Sequence, residues 1–167
     1  MAVISYGELG SLREKHPGKK IIFCSGSFDL MHAGHVLFLE ECKALGDILV
    51  VAVGPDADIR HNKGKNRPIH NEKIRLKIID SLKPVDYSFI PFPLESGNHW
   101  LSPLRKIFEH LKPDMYVVNY DGGGMEYRKE LTEELDIPLV ILELDRNAPP
   151  YEGISTTAII EKIRNLE

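Results

Sequence analysis

Two histidines separated by an alanine and a glycine, His32 and His35, are the residues whose spacing most directly suggests chemistry. They follow an apolar stretch, residues 21–24, that is typical of a buried strand, and they precede a helical pattern over 35–45. A helix start carries partial positive charge and free backbone N–H groups, which favour phosphate. Imidazole N–H groups can donate to phosphate as well. The turn is therefore predicted to bind nucleotide phosphates, with Gly34 letting the base or ribose approach the backbone.

Two plainer interpretations of the histidine pair stay open at this point. The histidines could be surface residues near a helix start, or they could join Asp29 as ligands of a metal ion. The glycine-containing turn between strand and helix favours phosphate binding, because a metal site does not need that setting.

The polar segment 54–70 is predicted to be a long functional loop that carries Lys63 and Arg67. A lysine beside a glycine can reach a triphosphate as a point charge, and an arginine can bind it through two parallel hydrogen bonds. A solvated basic loop is the alternative interpretation of this segment.

Two further segments carry polar groups where a ligand would be expected. Ser155, Thr156 and Thr157 open the last helical pattern, so they offer hydroxyl and N–H donors to phosphate, although Ser155 alone is explained as a helix cap. Asp121 follows a predicted strand and precedes three glycines. It could bind an acceptor hydroxyl or a ribose, or it could be a plain turn aspartate.

Apolar runs alternate with helical patterns along the whole chain, and this predicts the fold. Helices are expected near 5–16, 35–45, 71–82, 99–111, 126–135 and 155–166, and strands at 20–25, 48–54, 86–91, 115–119 and 138–143. The spacing predicts an α/β protein with a Rossmann-like, doubly wound parallel sheet of about five strands in three α/β/α layers. Such sheets bind ligands beyond the carboxyl ends of their strands, where the candidate residues above are placed.

The composition narrows the class of protein further. The 167 residues are expected to form a single domain, 1–167, and the net charge of −4 does not favour nucleic acid as a partner. No apolar run approaches the roughly 18 residues of a membrane span, and the first residues lack a signal-peptide pattern, so we expect a cytoplasmic protein without a membrane partner. Cys24 and Cys42 lie in apolar patterns and are expected to pack in the core.

Taken together, the motifs resemble those of one family. Residues 28–35 resemble the HxGH signature of the cytidylyltransferase-like nucleotidyltransferases, and residues 154–157 resemble the second, C-terminal motif of that family. The segment from Lys63 through Arg67 to Arg75 is similar to the family's lysine loop and the helix after it. The resemblance covers residues 18–165.

The resemblance implies an enzyme that transfers NMP from an NTP to a phosphorylated or phosphonylated small molecule and releases pyrophosphate with Mg²⁺. The chain is most similar to the glycerol-3-phosphate cytidylyltransferase, heptose-1-phosphate adenylyltransferase and archaeal FAD synthase types. The sequence of residues 153–157, Gly-Ile-Ser-Thr-Thr, is closer to that of the cytidylyltransferases and slightly favours CTP over ATP. An adenylyltransferase of the heptose-phosphate or FAD synthase type is the alternative. A nucleotide-binding regulatory module without turnover is an alternative of another class. The family also makes a homodimer an expectation.

The resemblance also implies a role for each candidate residue. His32 and His35 would stabilise the α-phosphate and the leaving group, and Lys63 would neutralise the transition state. Asp29 and Tyr120 would bind the acceptor, with Asp29 also a candidate ligand of a Mg²⁺ ion that the triphosphate carries. The nucleotide would be bound by Gly26, Ser27, Phe28, Gly34, Arg67, Asp121, Ser155, Thr156 and Thr157.

One departure weakens the preference for CTP. Related cytidylyltransferases often carry an arginine just before the C-terminal motif, and this chain has Pro150 in that place, with Arg146 four residues earlier as a possible substitute. In the acceptor region, Trp100 could stack on a ligand, although a lone tryptophan more often lies in a core or an interface.

Overall fold

The computed structural model describes residues 2–92, 101–143 and 153–166. Within these residues, six strands form one sheet in which every pair is parallel. The strands are β1 (Ala2–Val3), β2 (Ile21–Gly26), β3 (Ile48–Val53), β4 (Tyr87–Phe89), β5 (Met115–Asn119) and β6 (Leu139–Leu142).

Helices connect the strands of this sheet. A 3-10 helix, Tyr6–Ser11, leads into the first α-helix. The α-helices in the described ranges are α1 (Leu12–Lys15), α2 (Ala33–Ala44), α3 (Asp56–Lys63), α4 (Glu72–Asp80), α5 (Pro103–Leu111), α6 (Met125–Glu134) and α7 (Thr156–Arg164).

The strand order is β1-β4-β3-β2-β5-β6, so the chain reverses its direction of travel across the sheet between β2 and β5. From β2 the chain adds β3 and β4 on one side, and it then returns to place β5 on the other side. Phe23 pairs with Val50 of β3 and with Tyr116 of β5, which makes β2 a central strand. The carboxyl ends of β2 and β5 therefore border a topological switch point, where doubly wound sheets bind ligands.

Alternate residues of the central strands enter two separate cores, one on each face of the sheet. Ile21 and Phe23 pack with the leading helices, α5 and α6, whereas Ile22 and Cys24 pack with α2 and α4. Strands buried on both faces need continuous apolar runs, and this is why β2 and β3 are so rich in branched residues. The three-layer α/β/α arrangement predicted from the sequence is confirmed, and Cys24 and Cys42 are both buried in the second core.

Two elements differ from the expectation. The short strand β1 adds a sixth strand beside β4, and two residues are too few to show a strand pattern in the sequence. The segment expected to be a long loop contains α3. That helix has Asp56 and Asp58 in its first turn and Lys63 in its last turn, so its charges complement the helix dipole. It ends at Gly64, whose φ of 92° suits glycine.

Among the described residues, no helix combines the length and the apolar character that crossing a bilayer requires.

Candidate functional site

A cavity of about 690 Å³ lies beyond the carboxyl ends of the central strands, at the switch point. It brings together candidate residues from four segments that are far apart in the sequence. The predicted residues that line it are Gly26, Ser27, Phe28, His32, Gly34, His35, Lys63, Asp121, Ser155, Thr156 and Thr157.

The two histidines form a stacked pair at the start of α2. His32 is the N-cap residue, and its carbonyl accepts a hydrogen bond of 2.9 Å from the backbone N–H of His35. The ring centroids lie 3.8 Å apart with an angle of 29° between the planes. The edge of Phe28 contacts His35, with 5.6 Å between those centroids. The pair therefore borders the cavity in a fixed orientation, at a helix end that attracts anions.

Gly34 lets the two sequence motifs pack against each other. A Cβ atom at this position would lie 3.2 Å from the His32 ring and 3.2 Å from Cγ2 of Ile154. A larger residue would push the histidine away from the C-terminal motif. Close packing therefore explains why position 34 is a glycine. The approach of a base or ribose to Gly34 stays a prediction.

The turn after β2 has a strained backbone. Phe28 has a φ of 46°, which is unusual for a residue other than glycine. A Cβ atom at Gly26 would lie 2.8 Å from Cζ of Phe28, so the aromatic ring needs a glycine beneath it. This arrangement places Ser27 at the tip of the turn, on the cavity wall.

Lys63, the last residue of α3, reaches across to this turn. Its Nζ donates a hydrogen bond of 3.0 Å to Oγ of Ser27. Desolvation by the surrounding protein is the largest cause that lowers the pKa of Lys63, and the positive charge of Arg67 lowers it further. The ammonium thus lies beside the histidine turn, where a negatively charged ligand would favour its protonated form.

The start of α7 closes another side of the cavity. Ser155 is the N-cap, and its Oγ accepts a hydrogen bond of 3.1 Å from the backbone N–H of Ala158. The hydroxyl of Ser155 therefore has the capping role that sequence analysis gave as the plain alternative. Thr156 and Thr157 begin the helix and line the cavity, so their backbone N–H groups are available for phosphate in the way typical of helix starts.

Asp29 and Arg67 have partners within the protein and lie beside the cavity rather than on its wall. Asp29 is 1% exposed, and its Oδ1 accepts hydrogen bonds from the backbone N–H groups of Ile69 (2.7 Å) and His70 (3.0 Å). Its Oδ2 forms an ion pair of 2.7 Å with Nε of Arg67. Neither residue lines the cavity. Asp29 therefore fixes the segment between α3 and α4 and pairs with Arg67. The acceptor or metal role of Asp29 and the nucleotide role of Arg67 stay predictions.

Tyr120 is also placed differently from the prediction. Its side chain is 54% exposed and does not line the cavity, whereas the neighbouring Asp121 does. Nδ2 of Asn119 donates a hydrogen bond to Oδ1 of Asp121, which orients that carboxylate. The acceptor role expected of Tyr120 stays a prediction.

The metal-site interpretation of the histidine pair gains no support from the geometry. In the described ranges, no group of three or more histidine, cysteine, aspartate or glutamate side chains is arranged to hold a metal ion. Asp29, the third ligand of that interpretation, has its oxygens directed to the backbone of 69–70 and to Arg67.

The sequence did not reveal the burial of two arginines, Arg75 beside the cavity and Arg128 on its wall. Arg75 of α4, which looks like an ordinary surface arginine in the sequence, is fully buried. It donates to the carbonyls of His70 and Ser27, and it forms an ion pair of 2.7 Å with Asp56. Arg128 of α6 is 6% exposed and lines the cavity. A helical pattern gives no signal for either, because charged residues on helices are usually solvated.

Three residues considered in the sequence analysis, Trp100, Arg146 and Pro150, lie outside the described residues.

Comparison with known proteins agrees with this geometry. The family model described as cytidylyltransferase-like matches residues 23–162, which include every cavity-lining motif described above. The chain belongs to the cytidylyltransferase-like family. The resemblance found in the sequence, and with it membership of a nucleotidyltransferase superfamily, is therefore confirmed.

Relatives within the family are larger proteins. The bifunctional protein HldE of Helicobacter pylori (strain ATCC 700392 / 26695) is 39% identical over 161 residues, which are 93% of this chain and 30% of the relative. The bifunctional protein HldE of Pseudomonas savastanoi pv. phaseolicola is 38% identical over 147 residues, covering 87% of this chain and 28% of the relative. The chain thus spans about 30% of the length of these curated relatives.

Solved structures share the fold. The lipopolysaccharide core biosynthesis protein of Thermoplasma volcanium GSS1 is 32% identical, with a TM-score of 0.58 over 74% of this chain and 94% of that chain. The pantoate-beta-alanine ligase of Francisella tularensis has a TM-score of 0.63 over 98% of this chain and 77% of that chain. At 15% identity, the second likeness shows the fold alone.

Proposed function

We propose that this chain is an adenylyltransferase that transfers AMP from ATP to a sugar phosphate and releases pyrophosphate. The observation that carries the proposal is the single cavity at the switch point, which joins the stacked histidines, Lys63 and the start of α7. Two helix starts and three side chains suited to phosphate around one cavity match a triphosphate better than any singly charged ligand.

We propose ATP rather than CTP as the nucleotide, although the sequence motif slightly favours CTP. The HldE relatives represent the heptose-phosphate adenylyltransferase type, which sequence analysis gave as the alternative. The 32% identical lipopolysaccharide core biosynthesis protein supports the same direction, because such cores are built from sugars. We therefore take a heptose phosphate as the first acceptor to test.

The chemistry requires little beyond positioning and charge stabilisation. An oxygen of the acceptor phosphate attacks the α-phosphorus of ATP, and the bond from that phosphorus to the oxygen bridging the β-phosphate breaks. The attacking phosphate is already anionic near neutral pH, since its second pKa is about 6, so no general base is needed. The electron pair of the broken bond leaves with pyrophosphate.

The two histidines, Lys63 and the start of α7 each have a role in this step. His32 and His35 donate hydrogen bonds to the α-phosphate and to the oxygen that leaves with pyrophosphate. Lys63 offsets the charge that gathers around the α-phosphorus, and the N–H groups at the start of α7 hold the β- and γ-phosphates.

The donor set suits a Mg²⁺ ion that the triphosphate carries. Asp121 supplies one carboxylate at the cavity, and Mg²⁺ is commonly bound by one or two carboxylates together with substrate phosphates. When bound, the ion would neutralise part of the phosphate charge.

Pyrophosphate release tests the proposal. We expect turnover with ATP and heptose 1-phosphate, and much less with CTP, GTP or UTP. CTP with glycerol 3-phosphate and ATP with FMN test the other two types that the sequence resembles. No release with any pair, together with a thermal shift on adding ATP, would favour the regulatory module instead. A ligand at about 100 times its dissociation constant adds roughly 2.7 kcal/mol of stability, so binding without turnover is measurable.

A further inference from the structure

Arg128 is a buried cation at the cavity that the donor chemistry leaves unused. It lies on α6, after the glycine segment that follows β5, and only 6% of it is exposed. The histidines and Lys63, by contrast, follow β2 and β3. The reaction brings two phosphorylated molecules together, ATP and the acceptor. The residues assigned above all bind the triphosphate of ATP.

The side chain of Arg128 is held by its own segment. Its Nε donates a hydrogen bond of 2.9 Å to the carbonyl of Gly123, and its guanidinium carbon lies 5.5 Å from the centre of the Tyr116 ring. Tyr116 and α6 belong to the core on one face of the sheet, whereas Phe28 and α2 belong to the core on the other. Arg128 therefore borders the cavity from the face opposite to the histidine pair.

The surroundings of Arg128 suit an anionic group on a small molecule. The cavity wall from the same face includes Leu104 and Ile107 of α5 and Val118 of β5, which are apolar and exclude water. Desolvation by burial lowers the pKa of Arg128 to about 10, so the guanidinium stays charged at neutral pH in an environment that disfavours its charge. An arriving anion would relieve that penalty, and low polarity strengthens the attraction.

We propose that Arg128 binds the phosphate of the acceptor and thereby selects for phosphorylated acceptors. This inference rests on the proposed function. A guanidinium carries five N–H donors in a planar fork that matches phosphate geometry, so the bond to Gly123 is compatible with this role. Arg128 holds the attacking phosphate against the repulsion of the triphosphate.

The test separates acceptor binding from donor binding. Arg128→Gln removes the charge at similar size, and we expect the KM for heptose 1-phosphate to rise at least about tenfold, the effect of losing a charge-assisted hydrogen bond. The KM for ATP should stay near that of the unmodified chain. Arg128→Lys keeps the charge without the fork, and we expect an intermediate KM. Arg105→Gln is the matched control, because Arg105 is an exposed arginine paired with Glu134 on the neighbouring helix.

Inorganic phosphate gives a readout that does not depend on turnover. With a non-hydrolysable ATP analogue already bound, phosphate should stabilise the unmodified chain and Arg105→Gln against heat, and should stabilise Arg128→Gln much less. This result would support the site even if the sugar acceptor of the proposed function is wrong. An unchanged acceptor KM in Arg128→Gln, equal increases in both KM values, or equal stabilisation by phosphate would each overturn the assignment. If Arg128→Gln does not fold, an unchanged acceptor KM in Arg128→Lys overturns it.

Discussion

Two buried arginines border the same site and differ in what their surroundings provide. Arg75, with no exposed surface, donates to the carbonyls of His70 and Ser27 and pairs with Asp56. Arg128 lies over the Tyr116 ring and donates to Gly123, and burial lowers its pKa to about 10. Arg75 thus ties the turn after β2 to the starts of α3 and α4, whereas Arg128 contacts Gly123 and Tyr116 and borders the cavity.

Asp29, like Arg75, has all its partners within the protein, close to the proposed ATP site. That carboxylate joins the histidine turn to the backbone of 69–70 and to Arg67, so it links two segments that are far apart in the sequence. Every nucleotide donor of this type of reaction carries the same triphosphate group, so a rigid binding site suits it. The acceptor side instead follows the glycines 122–124, where insertions and substitutions can alter the acceptor without disturbing the donor site.

The largest expected effect comes from replacing each arginine with methionine. Arg75→Met leaves Asp56 without its buried partner, and losing one member of such a pair costs about 3–5 kcal/mol. Arg128→Met removes a desolvated charge together with its hydrogen bond to Gly123 and its contact with the Tyr116 ring, and we expect a smaller loss of about 1–2 kcal/mol. Urea denaturation of both variants measures the difference. Equal losses in the two variants would contradict the division of the site into a tied donor side and a looser acceptor side.

Removal of a histidine should affect chemistry and leave stability unchanged. We expect His35→Ala to lower kcat about 100-fold, the usual effect of deleting one donor that stabilises developing charge. The control is His61→Ala, an exposed residue on α3, which should keep full activity. Thermal unfolding of both variants checks the fold. A kcat of His35→Ala equal to that of the control would remove the catalytic role from the pair.

Asp29→Asn distinguishes the structural role of Asp29, which links residues 69–70 and Arg67, from the metal-binding role predicted from the sequence. The variant keeps an oxygen for Ile69 and His70 but loses the ion pair with Arg67, so we expect a loss of about 1.5–3 kcal/mol. The Mg²⁺ concentration that supports half-maximal activity should not change. A raised Mg²⁺ requirement at unchanged stability would return Asp29 to the metal.

The fold could be predicted well from the sequence because strands buried on both faces leave continuous apolar runs. The runs at β2 and β3 were found to within a residue or two, and the helix at 125–134 likewise. The strand β1 could not be found, because two residues show no periodicity. The helix α3 was hidden by its composition, since its stability comes from charges that match the helix dipole rather than from an apolar face.

The site could be predicted wherever residue type and backbone setting agree. His32, His35, Lys63 and residues 155–157 follow this rule, and all of them line the cavity. The contacts of Asp29 could not be predicted, because its partners are backbone N–H groups 40 residues away, which no local pattern reveals. Arg128 was missed for the same reason, since its burial follows from the packing of α6 against β5 and not from its neighbours in the sequence.

The smallest expected effect is a pH dependence of ATP binding, which should come from Lys63. Desolvation and the charge of Arg67 lower the pKa of Lys63 below the ordinary lysine value of 10.5. Because the protonated ammonium binds the triphosphate, kcat/KM for ATP should begin to fall at a lower pH than an ordinary lysine would give. Lys63→Arg stays protonated throughout this range and should lose that decline. Bound triphosphate raises the pKa of Lys63, so kcat at saturating ATP should decline only at higher pH.

Stability cannot produce this decline, which makes the assignment of the pH effect to Lys63 testable. A lysine whose pKa is lowered by folding binds fewer protons in the folded state than in the unfolded state over the interval between the two pKa values. The contribution of Lys63 to stability therefore rises with pH there, and unfolding would have to come from other groups. Circular dichroism across the same pH series monitors the fold. A decline that is identical in the unmodified chain and in Lys63→Arg would assign the titration to another residue and leave Lys63 without a role in donor binding.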